Sequence, residues 1–255
     1  MFALERQKRI LELLSENGAV WVSKLSVELG VTEETVRRDL EKLEKQEMLM
    51  RTHGGAVPID DSTYEMSLEK RKSTKVDIKM CLAKEAVKHI SEGDTIFLDA
   101  STTTFYMSKE LKKFKNVTII TNSIRIVNEL AGHESIRVIS IGGKVSNNQS
   151  FIGSLAESSI QENYFASKMF FSSKGLTKDA GILESNEHEC GIKQQMLKNC
   201  KQRYYLCDKT KIGRIGFVKL APLEDIDTII TEAVLDDKWQ RRLADLNVNV
   251  VKIDA

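Results

Sequence analysis

The 255-residue chain has few cysteines and places them singly. Cys81, Cys190, Cys200 and Cys207 form no Cys-x-x-Cys pair and have no histidine at a spacing that suits zinc, which excludes a zinc ribbon or finger. Free thiols in a reduced interior are the expectation. No apolar run approaches the ~20 residues that a membrane span needs. The opening stretch MFALERQKRI is charged throughout and lacks the apolar core of a secretory signal, so a cytoplasmic protein without a membrane partner is expected. An excess of charge of one sign is also missing. The formal net charge is +1, and residues 1–57 carry nine Lys or Arg against ten Asp or Glu, a net of −1. Any contact with nucleic acid must therefore come from where the positive charges sit rather than from bulk basicity.

What is present is patterned. Hydrophobic residues make up 41% and charged residues 29%, ordinary for a folded protein long enough to bury a core. Ile10, Leu11, Leu13 and Leu14 give a short helical stripe that Asn17-Gly18 closes. In SKLSVELGV, Ser23 can cap a helix, Leu25 and Leu29 share a face, and Gly30 ends it. Thr32 caps a third helix with Glu33 and Glu34 in its first turn, where the helix dipole favours carboxylates. Val36, Leu40 and Leu43 recur along that helix at core spacing and leave Thr35, Arg37 and Arg38 on the outward side. Glu41, Glu44 and Glu47 are expected to face away or to pair with Lys42 and Lys45.

Helix, glycine turn, helix is the spacing of a helix-turn-helix. Guanidiniums on its second helix can fork onto guanine edges or phosphates in a major groove. Met48-Leu49-Met50 and Ala56-Val57 flank RTHGG, so two short strands joined by a Gly-Gly turn make a wing. Arg51 and His53 are then placed to touch phosphates. An arginine pair alone is as readily a solvated helix surface; the spacing and the wing together decide for DNA. The expected DNA-facing set is Ser23, Thr32, Thr35, Arg37, Arg38, Arg51 and His53.

Residues 3–58 resemble the DeoR-type winged helix-turn-helix, carried by TVRRDLEKLE and MLMRTHGGAV. The resemblance implies that Val20 to Leu40 is the helix-turn-helix and HGGA the wing. Gln46-Glu47 departs from it, since relatives usually have a glycine before the wing strand.

After Pro58, PIDDSTYEMSLEKRKSTK is polar and aperiodic, so residues 58–75 are expected to form a linker, with Arg71 a solvated charge. The domains so delimited are a winged helix-turn-helix at 1–57 and an effector and oligomerisation domain at 76–255. From Asp77, apolar runs such as TIFLDA, VTIIT, IRVISIGG, KMFFSS, RYYLCD, DTIIT and VNVVKI alternate with helical stretches. That pattern predicts a mostly parallel α/β sheet covered on both faces.

Ligands of such sheets gather at the carboxyl ends of strands. Asp99 ends one strand, and Ser101, Thr102, Thr103 and Thr104 open the next helix, where hydroxyls and free N–H groups suit a phosphate. Asn122 in TNS, Gly142 and Gly143 in IGGK, Lys174 in SSKG, and Asp208 and Lys211 in CDKTK stand at further strand ends. Singly these are a helix cap, a turn and surface lysines; repeated at successive strand ends they point to an anionic polyol. In ESNEHEC, Glu184 faces ligand hydroxyls and Ser185 or Asn186 caps a helix, while the spacing suits no metal. The resemblance extends here: the DeoR effector domain shows a comparable Asp-x-Ser/Gly-Thr-Thr loop, a later Gly-Gly and an Asp-Lys-x-Lys strand end. It implies a fold similar to ribose-5-phosphate isomerase and a phosphorylated sugar effector. Ala100 and Ser101 stand where many relatives carry glycine.

The resulting expectation is a transcriptional regulator, a repressor of a sugar or polyol catabolic operon. Its partners would be double-stranded operator DNA, a phosphorylated sugar or polyol and further copies of itself as dimer or tetramer, with no cofactor, metal or catalytic set. The alternative is a sugar-phosphate isomerase carrying a DNA-binding module, with Asp99, Asp208 or Glu184 as the base.

Overall fold

A computed structural model describes residues 2–58 and 66–254, and the chain divides into two compact units, 1–66 and 67–255. In the first, α1 (Ala3–Asn17) leads through β1 (Val20–Trp21) directly into α2 (Val22–Leu29). Gly30, at φ 63, turns the chain towards α3 (Glu33–Lys45), and the hairpin β2 (Met50–Thr52) and β3 (Gly55–Val57) follows. The core is the one the periodicity predicts: Ile10, Leu13 and Leu14 of α1, Leu25 and Leu29 of α2, and Val36, Leu40 and Leu43 of α3 are all buried.

Two local details differ from expectation. Ser23 caps nothing: α2 begins at Val22, and Ser23 lies exposed in the first turn. The reason is β1, whose pairing with β3 holds Val20 and Trp21 extended up to the helix start. The Val22 N–H then donates to the Gly54 carbonyl at 2.9 Å, so a backbone acceptor from the wing serves in place of a side-chain cap. The hairpin turn is His53-Gly54 rather than Gly-Gly, because Gly55 is already paired in β3 with Thr52 and with Trp21. A Cβ on Gly55 would fall 1.8 Å from the Val20 carbonyl oxygen, so glycine is required there by close approach. Glu47, before the wing strand, adopts a left-handed φ of 54°.

The second unit opens with α4 (Leu68–Ser73) inside the span read from the sequence as a linker. Ser67 caps it, Leu68 is buried and Arg71 is half-buried, donating through Nη2 to Asn148 Oδ1 at 2.5 Å. Six residues are too few to show a helical period, which is why the sequence reads as aperiodic. Next come α5 (Val76–Ala86), β4 (Thr95–Leu98), α6 (Thr102–Leu111), β5 (Val117–Thr121), α7 (Ile124–Leu130) and β6 (Ile136–Ser140). A short hairpin, β7 (Lys144–Val145) and β8 (Phe151–Ile152), precedes α8 (Ser154–Asn163) and β9 (Ala166–Phe171). The remainder is β10 (Gly175–Thr177), β11 (Gly181–Glu184), α9 (Glu187–Lys198), β12 (Cys200–Leu206), β13 (Val218–Ala221), β14 (Thr228–Thr231), α10 (Asp237–Asp245) and β15 (Asn249–Lys252).

Seven of these strands form one sheet in the order β15-β14-β12-β9-β4-β5-β6, with every neighbouring pair parallel. Alternate strand residues feed two separate cores, as a sheet buried on both faces demands. Ile96, Leu98, Ile119, Phe170 and Leu206 pack with α5, α6 and α7. Phe97, Ile120, Met169, Phe171 and Tyr205 pack with α8, α9 and α10. A smaller antiparallel sheet, β10-β11-β13, is separate from the seven-stranded one and has no counterpart in the sequence pattern. The cysteines are free thiols, and Cys190, Cys200 and Cys207 are buried.

Candidate functional site

Two groups of residues carry chemistry, one in each unit. In the first, Arg37, Arg51 and His53 line one shallow concavity between α3 and the wing, with Val22, Leu40, Thr52 and Gly55 as its other walls. The concavity exists because Gly55 draws the wing against β1 while Leu40 anchors α3 beneath it. Arg38 and Ser23 are exposed but do not line it. Arg37 Nη2 lies 3.0 Å from Glu33 Oε2, and Arg38 Nε lies 3.2 Å from Glu34 Oε1, both exposed i,i+4 pairs. Such pairs contribute little and exchange readily for a phosphate. Thr32 does cap α3, accepting from the Thr35 N–H at 3.3 Å, and the two hydroxyls share a bond of 2.9 Å. Glu44 does not pair with a helix lysine: it accepts from the Arg51 N–H at 3.1 Å and lies 3.7 Å from the guanidinium, fixing β2 to α3. Glu41 pairs with Lys45 at 2.6 Å as expected.

The second group lies at the carboxyl ends of the parallel strands. Its centre is a residue the sequence did not single out. Lys193, buried on α9, donates from Nζ to Glu184 Oε1 at 2.5 Å and Ser172 O at 2.6 Å, and lies 2.9 Å from Asp99 Oδ2. Burial alone would pull its pKa down, but the two carboxylates outweigh it and hold the ammonium above the ordinary lysine range. Asp99, fully buried after β4, also accepts from the Thr104 hydroxyl at 2.8 Å and from the N–H groups of Ser101 and Ser172, each at 3.3 Å. Ser101 caps α6, its Oγ accepting from the Thr104 N–H at 3.2 Å, and Thr102 and Thr103 are buried in the first turn. Asp99, Ser101 to Thr104 and Glu184 are thus brought together around one buried lysine. Glu184 is engaged by that lysine and by the Ser185 N–H at 3.2 Å; Asn186 is the cap of α9.

Lys211 reaches the same floor from the end of β12, donating to Ser172 Oγ at 2.6 Å and Ser173 O at 2.7 Å; burial lowers its pKa. Asp208 accepts from Lys75 Nζ at 3.1 Å and the Thr210 N–H at 3.0 Å. Burial would raise its pKa, yet Lys211, the bonds from Thr210 and Lys75 bring it below the usual carboxylate value. Asn122 is fully buried, and its Nδ2 lies 3.4 Å from both Phe151 O and Glu189 Oε2. Burial pushes Glu189 up, and Ser150 and Ser146 bond its other oxygen. Gly142 and Gly143 have φ of 69° and 119°. A Cβ on Gly143 would meet Ala156 Cβ and the Ile152 carbonyl at 2.9 Å, so this glycine is required by the packing of α8. Lys174 lies just before β10, its N–H donating to the Leu183 carbonyl of β11 at 3.1 Å.

Four cations at this end were passed over in the sequence: Lys193, Arg125, Lys75 and Lys79. Lys79 is buried and donates to the carbonyls of Arg71 and, at 2.6 Å, Thr74. Burial and the neighbouring Lys211, Arg71 and Arg125 lower its pKa to about 8 despite Asp208. The only signal in the sequence was their position on helices entering or leaving strand ends, which exposed lysines share.

A winged helix-turn-helix on the same chain as a ligand-type α/β unit defines a sensor-coupled transcriptional regulator. The model of the DeoR-like helix-turn-helix domain matches residues 6–62, and that of the DeoR C terminal sensor domain matches residues 74–233; the chain belongs to the DeoR family. It is 41% identical over 254 residues to the HTH-type transcriptional regulator YulB of Bacillus subtilis (strain 168), covering 99% of this chain and 98% of that one. It is 34% identical over 241 residues to the lactose phosphotransferase system repressor of Streptococcus mutans serotype c, covering 93% and 95%. Among solved structures, ribose 5-phosphate isomerase A of Methanocaldococcus jannaschii aligns over 55% of each chain at 18% identity with a TM-score of 0.40.

Proposed function

We propose that this chain represses a sugar or polyol catabolic operon in the cytoplasm and that a phosphorylated sugar or polyol modulates its hold on the operator. The observation that carries the reading is the conjunction in one chain of two sites. One is a wing and helix presenting Arg37, Arg51 and His53; the other is a buried polar site at the ends of β4, β9 and β12, built on the start of α6. A relative named as a repressor of a sugar phosphotransferase system, similar along nearly the whole chain, agrees with it. Thr35, Arg37, Arg38, Arg51 and His53 would contact DNA; Ser101 to Thr104, Asn122 and Lys211 would surround the ligand. Two copies would place two winged units on a pseudo-palindromic operator, and ligand binding would shift the population away from the DNA-competent form.

The isomerase reading is weaker on this chain. An isomerase needs a carboxylate free to take a proton, whereas Asp99 and Glu184 are both paired to Lys193 and Asp208 to Lys75.

The test is a thermal-shift panel of free and phosphorylated sugars and polyols on the full chain, followed by operator binding with the best ligand. A ligand at about 100 times its Kd adds roughly 2.7 kcal/mol of stability. A phosphorylated compound that stabilises the protein and weakens operator binding, where its free form does neither, supports the reading. Operator affinity unchanged at saturation by the best ligand would sink it.

A further inference from the structure

Arg125 opens α7, one turn beyond the end of β5, and is only 8% exposed. Its Nη2 donates to the Ser101 carbonyl at 3.3 Å, which brings the guanidinium to the start of α6. Phe105, on the first turn of that helix, lies 4.6 Å from the guanidinium carbon. The other donors, Nε and Nη1, are buried and have no hydrogen-bond partner among the described residues. Buried guanidiniums with unmet donors are rare in folded proteins, because desolvation without a partner is costly.

Glu69 and Asp99 attract the guanidinium, yet neither bonds Nε or Nη1. Arg71 of α4 lies near enough to repel Arg125, and so does Lys79. Asp99, the buried carboxylate close by, is already held by Lys193, Thr104 and two backbone N–H groups. Tyr106 on α6 donates to the Lys72 carbonyl at 3.4 Å, and Arg71 bonds Asn148, so α4 is tied down beside the start of α6. Two unmet guanidinium donors, a second arginine and the start of α6 lie together, and an anion with several acceptor oxygens would satisfy those donors.

We propose that Arg125, assisted by Arg71 from α4, binds the phosphate of the effector at the N-terminal end of α6. This rests on the strand-end site being the effector site, and it adds residues that neither the family motif nor the sequence reading assigned. It also makes α4, the first helix of the sensor unit, a direct contributor to the ligand site.

The experiment titrates inorganic phosphate into the full-length protein, reading Tm and calorimetric binding, for the wild type and for Arg125→Gln, Arg125→Lys, Arg71→Gln, Thr102→Glu and Arg137→Gln. Arg137 is an exposed β6 residue and serves as the charge control. Loss of a charge-assisted bond predicts at least about tenfold weaker phosphate binding in Arg125→Gln, with smaller losses in Arg125→Lys and Arg71→Gln and none in Arg137→Gln. Because two of its three donor nitrogens lack partners, the Tm of Arg125→Gln without phosphate is expected to match or exceed the wild type; a marked fall would assign Arg125 a structural role and overturn the proposal. Unchanged affinity in Arg125→Gln, with binding abolished in Thr102→Glu, would overturn it while leaving the effector site standing. Absence of saturable phosphate binding to the wild type would overturn both.

Discussion

Arg6 on α1 and Asp39 on α3 form a buried ion pair, Nε to Oδ2 at 2.5 Å, and Gln7 Nε2 donates to the other carboxylate oxygen at 2.9 Å. Asp39 follows directly after Arg37 and Arg38, so one turn of α3 puts two arginines towards solvent and a carboxylate into the domain. Removing one member of a buried pair strands the other. Asp39→Ala is expected to destabilise the winged unit by about 3 kcal/mol or more. With Trp239 replaced by phenylalanine, Trp21 becomes the sole tryptophan reporter of this unit, and its unfolding midpoint should fall well below the parent's.

Arg37→Ala should behave in the opposite way. Its pair with Glu33 is exposed, so stability should hold to within about 0.5 kcal/mol. Operator affinity should drop by about 1–3 kcal/mol if the side chain reads a guanine. Fluorescence anisotropy on an operator duplex at fixed salt measures it, and wild-type affinity in this variant would remove α3 from the role of reading helix.

The wing offers a comparison between adjacent glycines. Gly55→Ala forces a methyl onto the Val20 carbonyl, whereas a Cβ on Gly54 meets nothing within 4 Å. The first should cost about 2 kcal/mol or more and abolish operator binding; the second should change stability by less than about 1 kcal/mol. Equal effects of the two substitutions, read by Trp21 unfolding, would mean that the β1-β3 contact is not what shapes the wing.

Lys79 predicts a pH dependence. Its folded pKa of about 8 lies below the ordinary 10.5, so the folded chain releases this proton first. Stability from a depressed group is present above the unfolded value and lost as pH falls through the folded one. Between pH 8 and 10.5 the wild type should therefore gain in unfolding free energy relative to Lys79→Met. Urea titrations of both proteins at pH values spanning that window measure the difference, and a gap that stayed constant would contradict the assignment.

Much of this architecture is visible in the sequence because it rests on repetition. Val36, Leu40 and Leu43 advertise their helix by spacing, and the β-branched runs at Val117–Thr121 and Thr228–Thr231 advertise strands buried on both faces. The strand-end positions of Asp99 and Asp208 follow from the same reading. What escaped has no period. The β10-β11-β13 sheet consists of strands of three or four residues held by glycines whose Cβ positions are filled by neighbouring backbone, such as Gly175 against the Arg214 carbonyl at 2.0 Å. Lys193, Arg125 and Asp39 are charges on helices, the usual mark of a wetted surface. Only contacts distant in sequence, Lys193 with Asp99 or Arg6 with Asp39, reveal that they are interior. Arg71 escaped for a further reason: its helix is too short to be recognised within a polar stretch.

Lys193 ties together the ends of β4, β9 and β11 from a seat on α9, all with buried partners. Arg71 and Asn148, by contrast, meet from a six-residue helix and a loop between two short strands, and both are only half-buried. The sensor unit therefore has a welded floor and a bolted-on wall. If the proposed phosphate site holds, positions 71 and 148 are where ligand affinity can be changed at least cost to the fold. A change at 99, 184 or 193 would trade away the scaffold before it altered selectivity.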